Sequence, residues 1–473
     1  MLFNSFTFGV FFLIVFILFW LPVRKYRLQW QNIVILVAGY IFYGWWDWRF
    51  LFLIALTSLT SWASGILIEK QIRPKLISAA NIIINIGILI CFKYFNFFTD
   101  SLVSLFSLFG IQTNMRTLNI ILPVGISFYT FQALSYSIDV YKGKIKACKN
   151  PVKFFAFVSF FPALVAGPIE RASNLLPQFD HSRDSFDYNK AVIGVTRVLW
   201  GLFLKIVIAD RLAVFVNGAW DGIESLSWLP AVTAMIFFAF QLYLDFYAYS
   251  EIAKGIAVLL GFEVMTNFRR PYLSTSFKEF WKRWHISLSS WFMDYVYIPL
   301  GGNRRGEMRK CLNLMIVFLL SGLWHGSSWT FVLWGAMNGF FLVFFDRILK
   351  KGMRINSLIV FLCWTLSLIL FRAQTLHDAW NFILHLGTGS ENGIAALFNY
   401  GLVKSEFYFA IAMIIFLVIW EFIQEKYGER LALWLTGTPA VFRVFTAALV
   451  IVVIILFGRY GIGNDGSFIY FQF

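Results

Sequence analysis

Apolar segments of bilayer length recur along most of this 473-residue chain. An α-helix rises about 1.5 Å per residue, so roughly 20 apolar residues cross the roughly 30 Å hydrocarbon core of a membrane. Because lipid offers no hydrogen bonds to an open backbone, the pattern predicts an all-α polytopic membrane protein with about eleven or twelve crossings. The segments lie near residues 5–22, 31–47, 50–68, 77–97, 118–138, 191–209, 229–249, 311–326, 329–345, 357–371, 405–420 and 444–458.

The composition of the chain agrees with a membrane protein, since 59% of the residues are hydrophobic and only 14% are charged. Soluble domains carry about 25% charged residues. No segment between the apolar runs is long enough to fold alone, so we expect a single membrane domain over residues 1–473. Residues 1–23 lack both the basic start and the small-residue cleavage site of a secretory signal, which favours a retained first span.

Lysine and arginine collect in five short loops of the chain. Loops with this bias face the cytoplasm, which predicts an N-terminus on the outside of the membrane. This topology, together with contacts to anionic lipid headgroups, accounts for the net charge of +15, and we expect no nucleic-acid binding. The basic loops are residues 24–27, 70–75, 142–153, 304–310 and 347–354.

Two segments are expected to lie in the membrane without crossing it. Residues 153–169 form a short run with Pro162 and Pro168, which predicts a re-entrant or broken helix packed inside the protein. Residues 269–310 mix basic and aromatic side chains. That mixture is typical of amphipathic helices at the inner membrane face.

Within residues 269–310, Glu279 and Arg283 stand four positions apart in the order that favours a helical ion pair. On the same predicted helix, His285 shares a face with Trp281 and Ser289. We therefore expect the aromatic side of this helix to turn inward and to carry His285 with it.

Two histidines are the strongest candidates for reactive groups, because an ionisable side chain at membrane depth is costly and is a functional hypothesis by default. His285 stands among tryptophans, and His325 ends a helix that rises roughly 21 Å from Cys311, past the bilayer midplane. Gly322 and Gly326 let backbones approach closely there. Imidazole is the side chain best suited to act as a base near neutral pH. From the residues alone, a catalytic role and a packing role for His325 carry equal weight.

The remaining metal-binding and nucleophilic side chains form no recognisable site. Three further histidines, His181, His377 and His385, lie in polar or loop-like contexts and are expected at the surface. The four cysteines have neither metal-type spacing nor a disulfide pattern. Since the chain also lacks a dinucleotide loop and a serine triad, we expect neither a metal nor a bound cofactor.

Six segments of the chain together carry a family pattern. In order and content they resemble the membrane-bound O-acyltransferase family, and within it the bacterial polysaccharide branch that includes the membrane subunit of alginate O-acetyltransferase. The resemblance covers nearly the whole chain. The segments are PVGISFYTFQALSYSIDVYKG (123–143), FFPALVAGPIERASNLLPQ (160–178), QLYLDFYAYSEIAKG (241–255), RRPYLSTSFKEFWKRWHISLSSWFMDYVYIPLGGNR (269–304), SGLWHG (321–326) and the terminal FIYFQF.

The resemblance implies a fold and two site residues. It implies a ring of tilted helices around a central tunnel, which joins a cytoplasmic donor entrance to an outward-facing funnel. The hallmark histidine of the family corresponds to His325 and its second histidine to His285. We expect His325 to act as the general base, with a covalent acyl intermediate on His325 as the alternative, and His285 to orient or polarise the thioester carbonyl.

Further residues are expected along the tunnel or at the substrate. Three tryptophans adjoin the histidines, whereas most others suit interface belts. An aspartate between two tyrosines in an apolar span either lines the tunnel or makes a structural hydrogen bond, and a glutamine and a tyrosine pose the same choice. Lys205 and Asp210 are expected to form a structural or interfacial set. The candidates are the tryptophans Trp281, Trp284 and Trp324, the aspartate Asp245, and the pair Gln132 and Tyr129.

Three functions remain open at this point. The leading interpretation is transfer of an acyl group, with acetyl expected, from cytoplasmic acetyl coenzyme A or an acyl-carrier thioester across the membrane. It would serve O-acetylation of an exported cell-surface or secreted polysaccharide, with an extracytoplasmic acetyltransferase as partner. The alternative is D-alanyl transfer to teichoic acid from an acylated carrier protein. A transporter or flippase would need several paired charges at the midplane, where this sequence offers two histidines and few acids.

Overall fold

The computed structural model describes residues 1–21, 25–111, 121–349, 353, 355–387, 389, 393–460, 468 and 469, and this part of the chain is helical without strands. It forms two compact units. The first comprises Met1–Tyr188 with Ile256–Met265, and the second comprises Asn189–Gly255 with Thr266–Phe473. Some sequence predictions fall outside the described residues, namely those on Arg24, Lys350, Lys351, Arg354, residues 118–120 and residues 470–473.

The first unit is built from helices that pack through small and polar side chains. Asn81 of α4 donates its amide to Ser137 of α6 at 2.8 Å and accepts a hydrogen bond from Ser61 of α3 at 3.4 Å. Interhelical bonds of this kind hold membrane helices together where lipid provides no hydrophobic driving force. The helices are α1 (Phe6–Trp20), α2 (Arg27–Gly44), α3 (Leu51–Glu69), α4 (Pro74–Leu89), α5 (Phe95–Leu108), α6 (Ile126–Tyr141), α7 (Pro151–Val158) and α8 (Ala172–Leu175).

A buried irregular segment follows α7 and confirms the predicted broken helix. The helix ends at Val158, and the chain then runs without helix to Arg171 while residues 156–172 stay buried. The carboxylate of Glu170 accepts hydrogen bonds from the backbone N–H of Met265 at 2.6 Å and from the Asn174 amide at 2.9 Å. Non-helical backbone is tolerated at membrane depth only when it is enclosed by protein in this way.

The second unit contains the helices that carry both candidate histidines. Its central pair, α14 and α15, packs closely because glycines stand at the contact. A Cβ atom on Gly322 would collide with the carbonyl oxygen of Phe331, and one on Gly335 would collide with that of Phe318. The helices are α9 (Tyr188–Leu202), α10 (Asp210–Asp221), α11 (Trp228–Leu259), α12 (Phe277–Arg283), α13 (Ile286–Phe292), α14 (Glu307–His325), α15 (Trp329–Ile348), α16 (Ile355–Arg372), α17 (Leu376–His385), α18 (Lys404–Gly437) and α19 (Ala440–Phe457).

Every predicted apolar segment contains a helix, although residues 45–47 and 121–125 lie outside the helices of their segments. Within the described chain, seven helical stretches are long and apolar enough to cross a membrane, and Phe6–Trp20 and Trp329–Phe345 are shorter apolar helices. The total of about eleven or twelve crossings stays a prediction. The seven stretches are Trp48–Glu69, Pro74–Leu108, Tyr188–Asp221, Trp228–Leu259, Ile355–Arg372, Lys404–Gly428 and Ala440–Phe457.

Candidate active site

His285 stands at a sharp break between two short helices. Helix α12 is capped by Ser276, whose side chain accepts the Glu279 backbone N–H at 3.1 Å, and it ends at Arg283. The predicted ion pair of Glu279 with Arg283 is confirmed, with 2.8 Å between Nη2 and Oε1. The next helix starts at Ile286, after His285 has taken the left-handed conformation with φ 42° and ψ 54°.

The prediction of one helix that carries Trp281, His285 and Ser289 on a common face is therefore wrong. A non-glycine residue with positive φ is uncommon, although histidine adopts this region more readily than bulky or β-branched residues do. The break redirects the chain, and the expected inward position of His285 is nevertheless confirmed, since only 1% of the residue is exposed.

His325 is the last residue of α14 and is also buried, with 6% of the residue exposed. The predicted close approach at this turn is confirmed. Besides Gly322, whose missing side chain admits the Phe331 backbone, Gly326 packs against the Phe331 ring, which a Cβ atom would strike. His325 thus sits at the tip of the tightly packed α14 and α15 pair.

The two imidazole rings face each other inside the second unit. Their centroids are 6.2 Å apart and their planes make an angle of 60°. At this separation both rings lie within reach of one small group bound beside them. Residues that are forty positions apart in the sequence are thereby joined into one site.

Aromatic rings enclose the histidine pair. Trp324 contacts both, at 5.8 Å from the His285 ring and 5.0 Å from the His325 ring, centroid to centroid. Phe246 of α11 packs edge-on against His285 at 4.6 Å. Trp334 and Phe371 contact the His325 ring at 5.1 and 5.4 Å. Such walls exclude water and strengthen every electrostatic interaction inside the site.

The other two candidate tryptophans pack behind these walls. Trp281 lies 6.2 Å from Trp334, which itself contacts His325. Trp284 precedes His285 directly, and its ring lies 4.7 Å from that of Trp364 at a tilt of 58°. Trp281 also meets the Trp364 ring, at 5.8 Å. The structure therefore gathers all three tryptophans around the histidines, and their role as tunnel walls stays a prediction.

Burial sets the charge state of His285. Removal from water lowers the pKa of this imidazole from 6.5 to about 3, so the ring is neutral at physiological pH. A neutral imidazole has one N–H donor and one nitrogen acceptor. It can therefore donate a hydrogen bond to a carbonyl oxygen without carrying a charge into the apolar site.

Asp245 belongs to a buried ion cluster. Its carboxylate pairs with the Lys205 ammonium and also accepts the backbone N–H of Ile469. Lys205 pairs in addition with Asp210 at 2.8 Å, so the two residues do form a set. The flanking tyrosine Tyr243 donates its hydroxyl to a glutamate of α18 and not to Asp245. A tunnel role for Asp245 stays a prediction.

The glutamate that binds Tyr243 was missed in the sequence. Glu421 is only 4% exposed and lies in the apolar stretch Lys404–Gly428. Its signal is an acidic residue at the end of the long apolar run 407–420. A second missed residue, Asn267, binds the backbone beside His285 and had no such signal, because uncharged amides are common in loops.

Gln132 and Tyr129 lie in the first unit, on α6. The Gln132 amide donates to the carbonyl oxygen of Phe157 at 2.7 Å, which ties α6 to the end of α7. The Tyr129 ring stands perpendicular to Tyr43 of α2 at 5.8 Å. Both side chains are buried and hold helices of this unit together. Their contribution to a tunnel stays a prediction.

The remaining three histidines lie outside the site. His181 and His377 are exposed as predicted, and His385 is half-buried. Among the described residues, no group of three or more histidine, cysteine, aspartate or glutamate side chains could hold a metal ion. The structure does bring the two buried imidazoles together, with 6.2 Å between their ring centroids.

The chain is similar in sequence to several known proteins. Residues 148–354, which include both histidines, match the membrane-bound O-acyltransferase family. The chain is 37% identical to a probable alginate O-acetylase of Azotobacter vinelandii, over 85% of this chain and 79% of that protein. It is 34% identical to a peptidoglycan O-acetyltransferase of Helicobacter pylori, over 73% of this chain and 71% of that protein.

A more distant similarity joins the chain to a teichoic acid D-alanyltransferase of Streptococcus thermophilus, with 30% identity over 50% of this chain and 59% of that protein. The relatives with the larger coverage are acetyl-transferring proteins by name. With helices suited to cross a bilayer, extended similarity and a buried histidine pair, the chain belongs to the membrane-bound O-acyltransferase family and is a multi-pass membrane acyltransferase.

Proposed function

We propose that this protein moves an acetyl group from a cytoplasmic thioester across the membrane for the O-acetylation of an exported cell-surface or secreted polysaccharide. The observation that carries the proposal is the meeting of His285 and His325 in a buried aromatic site, with 6.2 Å between ring centroids. The names of the acetyl-transferring relatives support the choice of acetyl over other acyl groups.

His325 acts as the general base in this proposal. Its imidazole removes the proton from an acceptor hydroxyl while the hydroxyl oxygen attacks the thioester carbonyl carbon. The tetrahedral intermediate then collapses, the carbon–sulfur bond breaks, and the thiolate takes the proton from the imidazolium. An acyl ester and a free thiol are the products, so no oxidant, metal or other co-reactant is needed.

His285 polarises the carbonyl in the same step. Its neutral ring donates an N–H hydrogen bond to the carbonyl oxygen, which gains negative charge in the tetrahedral intermediate. A preorganised donor in a dry site contributes more than the same donor in water. The left-handed break at His285 supports this role, since strained backbone clusters at functional sites.

The sidedness of the reaction follows from the predicted topology. We place the protein in the bacterial cytoplasmic membrane with its N-terminus outside, because the basic loops are expected to face the cytoplasm. The donor, acetyl coenzyme A or an acyl-carrier thioester, then enters from the cytoplasmic side. A separate extracytoplasmic acetyltransferase is the proposed partner that passes the group to the glycan.

Transfer in proteoliposomes tests the proposal. Proteoliposomes that hold the purified protein together with the partner acetyltransferase are supplied with acetyl-labelled coenzyme A on the cytoplasmic face and with extracted polysaccharide on the other face, and ester-linked label on the glycan is counted. We expect transfer by the wild type and loss of transfer by His325→Ala at equal protein content. Full activity of His325→Ala would refute the base assignment.

A second donor separates the proposal from the D-alanyl alternative. The same vesicles receive a carrier protein charged with labelled D-alanine, with teichoic acid as the acceptor. Labelling only in that arm would replace the proposed acetyl transfer with D-alanyl transfer. Labelling only with acetyl coenzyme A supports the proposal as stated.

A further inference from the structure

Helix α13 begins at a residue that does not cap it. The first N–H groups of any α-helix need acceptors from outside the helix, and a serine, threonine, aspartate or asparagine at the N-cap position normally supplies one. Here the N-cap position is occupied by His285, whose side chain makes no capping hydrogen bond to the helix backbone. The imidazole is turned toward the His325 ring.

Asn267 supplies the missing acceptors from a distant part of the chain. Its backbone carbonyl accepts the N–H of Ile286 at 2.9 Å. Its side-chain oxygen accepts the N–H of Ser287 at 3.3 Å and the hydroxyl of Ser287 at 2.6 Å. Asn267 therefore satisfies the first two backbone donors after His285, which is the task of an N-cap residue.

The Asn267 amide is itself held in a fixed orientation. Its Nδ2 donates to the hydroxyl of Ser250 on α11 at 3.2 Å, so its oxygen must point at Ser287. Both Asn267 and Ser250 are 1% exposed, and Ser287 is fully buried. A water molecule cannot readily replace these partners, and a buried polar group left without a partner destabilises the fold.

A residue close to Asn267 also forms a backbone hydrogen bond on the N-terminal side of the break. The backbone N–H of Arg269 donates to the carbonyl oxygen of Arg283 at 2.9 Å, at the end of α12. Hydrogen bonds from residues 267–269 thus flank Trp284 and His285 on both sides. This bracing maintains a left-handed histidine that the local sequence alone would not favour.

We propose that Asn267 is the positioning residue of the site. It caps α13 in place of His285, and it thereby holds the His285 imidazole against the bound thioester, not against the backbone of its own helix. The catalytic part of this inference rests on the proposed acetyl transfer. The structural part, that Asn267 sets the position of the His285 ring, is independent of what the protein transfers.

Two variants of buried asparagines separate positioning from general stability. Asn267→Ala removes the side-chain bonds described above. Asn85→Ala is the matched control, because Asn85 is fully buried in the first unit and donates its amide to the Asn81 backbone and side chain at 2.9 Å. Both changes delete a buried amide of the same size, and only the first one touches the histidine site.

The ring position is read by nuclear magnetic resonance of protein labelled with nitrogen-15 in its five histidines. His285→Gln assigns the His285 signals. We expect these signals to shift or broaden in Asn267→Ala and to remain in place in Asn85→Ala. Unchanged His285 signals in folded Asn267→Ala would overturn the structural part, whether or not the protein transfers acetyl groups.

The acetyl-transfer assay then tests the catalytic part of the inference. We expect Asn267→Ala to lower kcat by about tenfold or more with the KM for acetyl coenzyme A unchanged, since small misplacements of a reacting group have effects of this size. Asn85→Ala should retain the wild-type kcat per folded molecule. A full kcat in Asn267→Ala, or equal losses in both variants, would overturn the positioning role.

A milder variant decides the question if Asn267→Ala does not fold. Ser250→Ala removes only the hydroxyl that orients the amide, and we expect it to lower kcat by between about twofold and tenfold, the range for one hydrogen bond. An unchanged kcat with unchanged His285 signals would overturn the proposal. If the wild type transfers no acetyl group, the proposed function fails. The resonance experiment still tests whether Asn267 sets the position of the His285 ring.

Discussion

The indole ring of Trp324 stands edge-on to the imidazole of His325, with 5.0 Å between centroids and 85° between the planes. The same indole also contacts His285 at 5.8 Å. Trp324 is thus a wall shared by both imidazoles, and its removal should loosen both at once.

We predict that Trp324→Ala lowers kcat by about tenfold to a hundredfold, because the histidines lose the surface that fixes their separation. Trp324→Phe keeps an aromatic wall and should retain most of the activity. The matched control is Trp380→Ala, since Trp380 is 59% exposed on α17. Acetyl transfer by all three variants, measured per folded molecule, checks this; equal losses for Trp324→Ala and Trp380→Ala would contradict it.

The tight contact of α14 and α15 predicts sensitivity at Gly335. In Gly335→Ala the new methyl group meets the carbonyl oxygen of Phe318, so the helices must separate and carry His325 with them. Overpacking of this kind destabilises by about 1–3 kcal/mol. We expect a lower melting temperature and a lower kcat together, measured in detergent and in vesicles.

The control for that change is Gly428→Ala on α18. No atom lies within 4 Å of a Cβ built on Gly428. Alanine favours a helix over glycine by roughly 1 kcal/mol, so this variant should melt at the same temperature or higher with full activity. If Gly335→Ala keeps the wild-type melting temperature and kcat, the close packing of α14 and α15 does not determine the position of His325.

Removal of Lys205 from its buried ion cluster should lower the stability of the protein without lowering its acetyl-transfer activity. Lys205→Met leaves the Asp245 carboxylate buried without its cation, and breaking such a pair destabilises by about 3–5 kcal/mol. The double variant Lys205→Met with Asp245→Leu should recover most of the melting temperature. Activity per folded molecule should remain near wild type in both. A stable but inactive Asp245→Asn would instead place Asp245 in the tunnel.

The low pKa of His285 predicts a specific acid sensitivity. The unfolded chain binds a proton at this ring near pH 6.5, whereas the folded protein binds it only near pH 3. The unfolded state therefore holds more protons in between, so stability is fully present above about pH 6.5 and falls as the pH is lowered.

The comparison of wild type with His285→Gln isolates this effect. We expect the melting temperature of the wild type to drop more steeply than that of His285→Gln between pH 6.5 and pH 4. The His285 resonances should also show no titration between pH 8 and pH 5. Titration of His285 near pH 6.5 would contradict the burial of a neutral ring.

Much of this architecture could be predicted because a helix that spans a bilayer must be apolar and must have a minimum length. Each predicted apolar segment contains a helix, and the broken stretch after α7 follows from Pro162 and Pro168. The Glu279 and Arg283 pair follows from local spacing alone. The burial of both histidines follows from their apolar surroundings.

The details that shape the site depend on contacts between distant residues. The helical pattern continues through Trp284 and His285, so nothing local indicates the left-handed break. The break is stabilised by Asn267, eighteen positions earlier in the chain, and periodicity carries no information about such a partner. Asp245 likewise finds Lys205 only through the packing of α11.

The most direct test of the two-imidazole mechanism is the acetyl-transfer rate of His285→Ala, His325→Ala and the double variant in the same proteoliposomes. Residues that act as a unit show losses that do not multiply. We predict that His325→Ala lowers the rate by at least about a thousandfold. The double variant should be no slower than His325→Ala. Near wild-type rates in either single variant, or a double variant slower by the product of the two losses, would contradict the account.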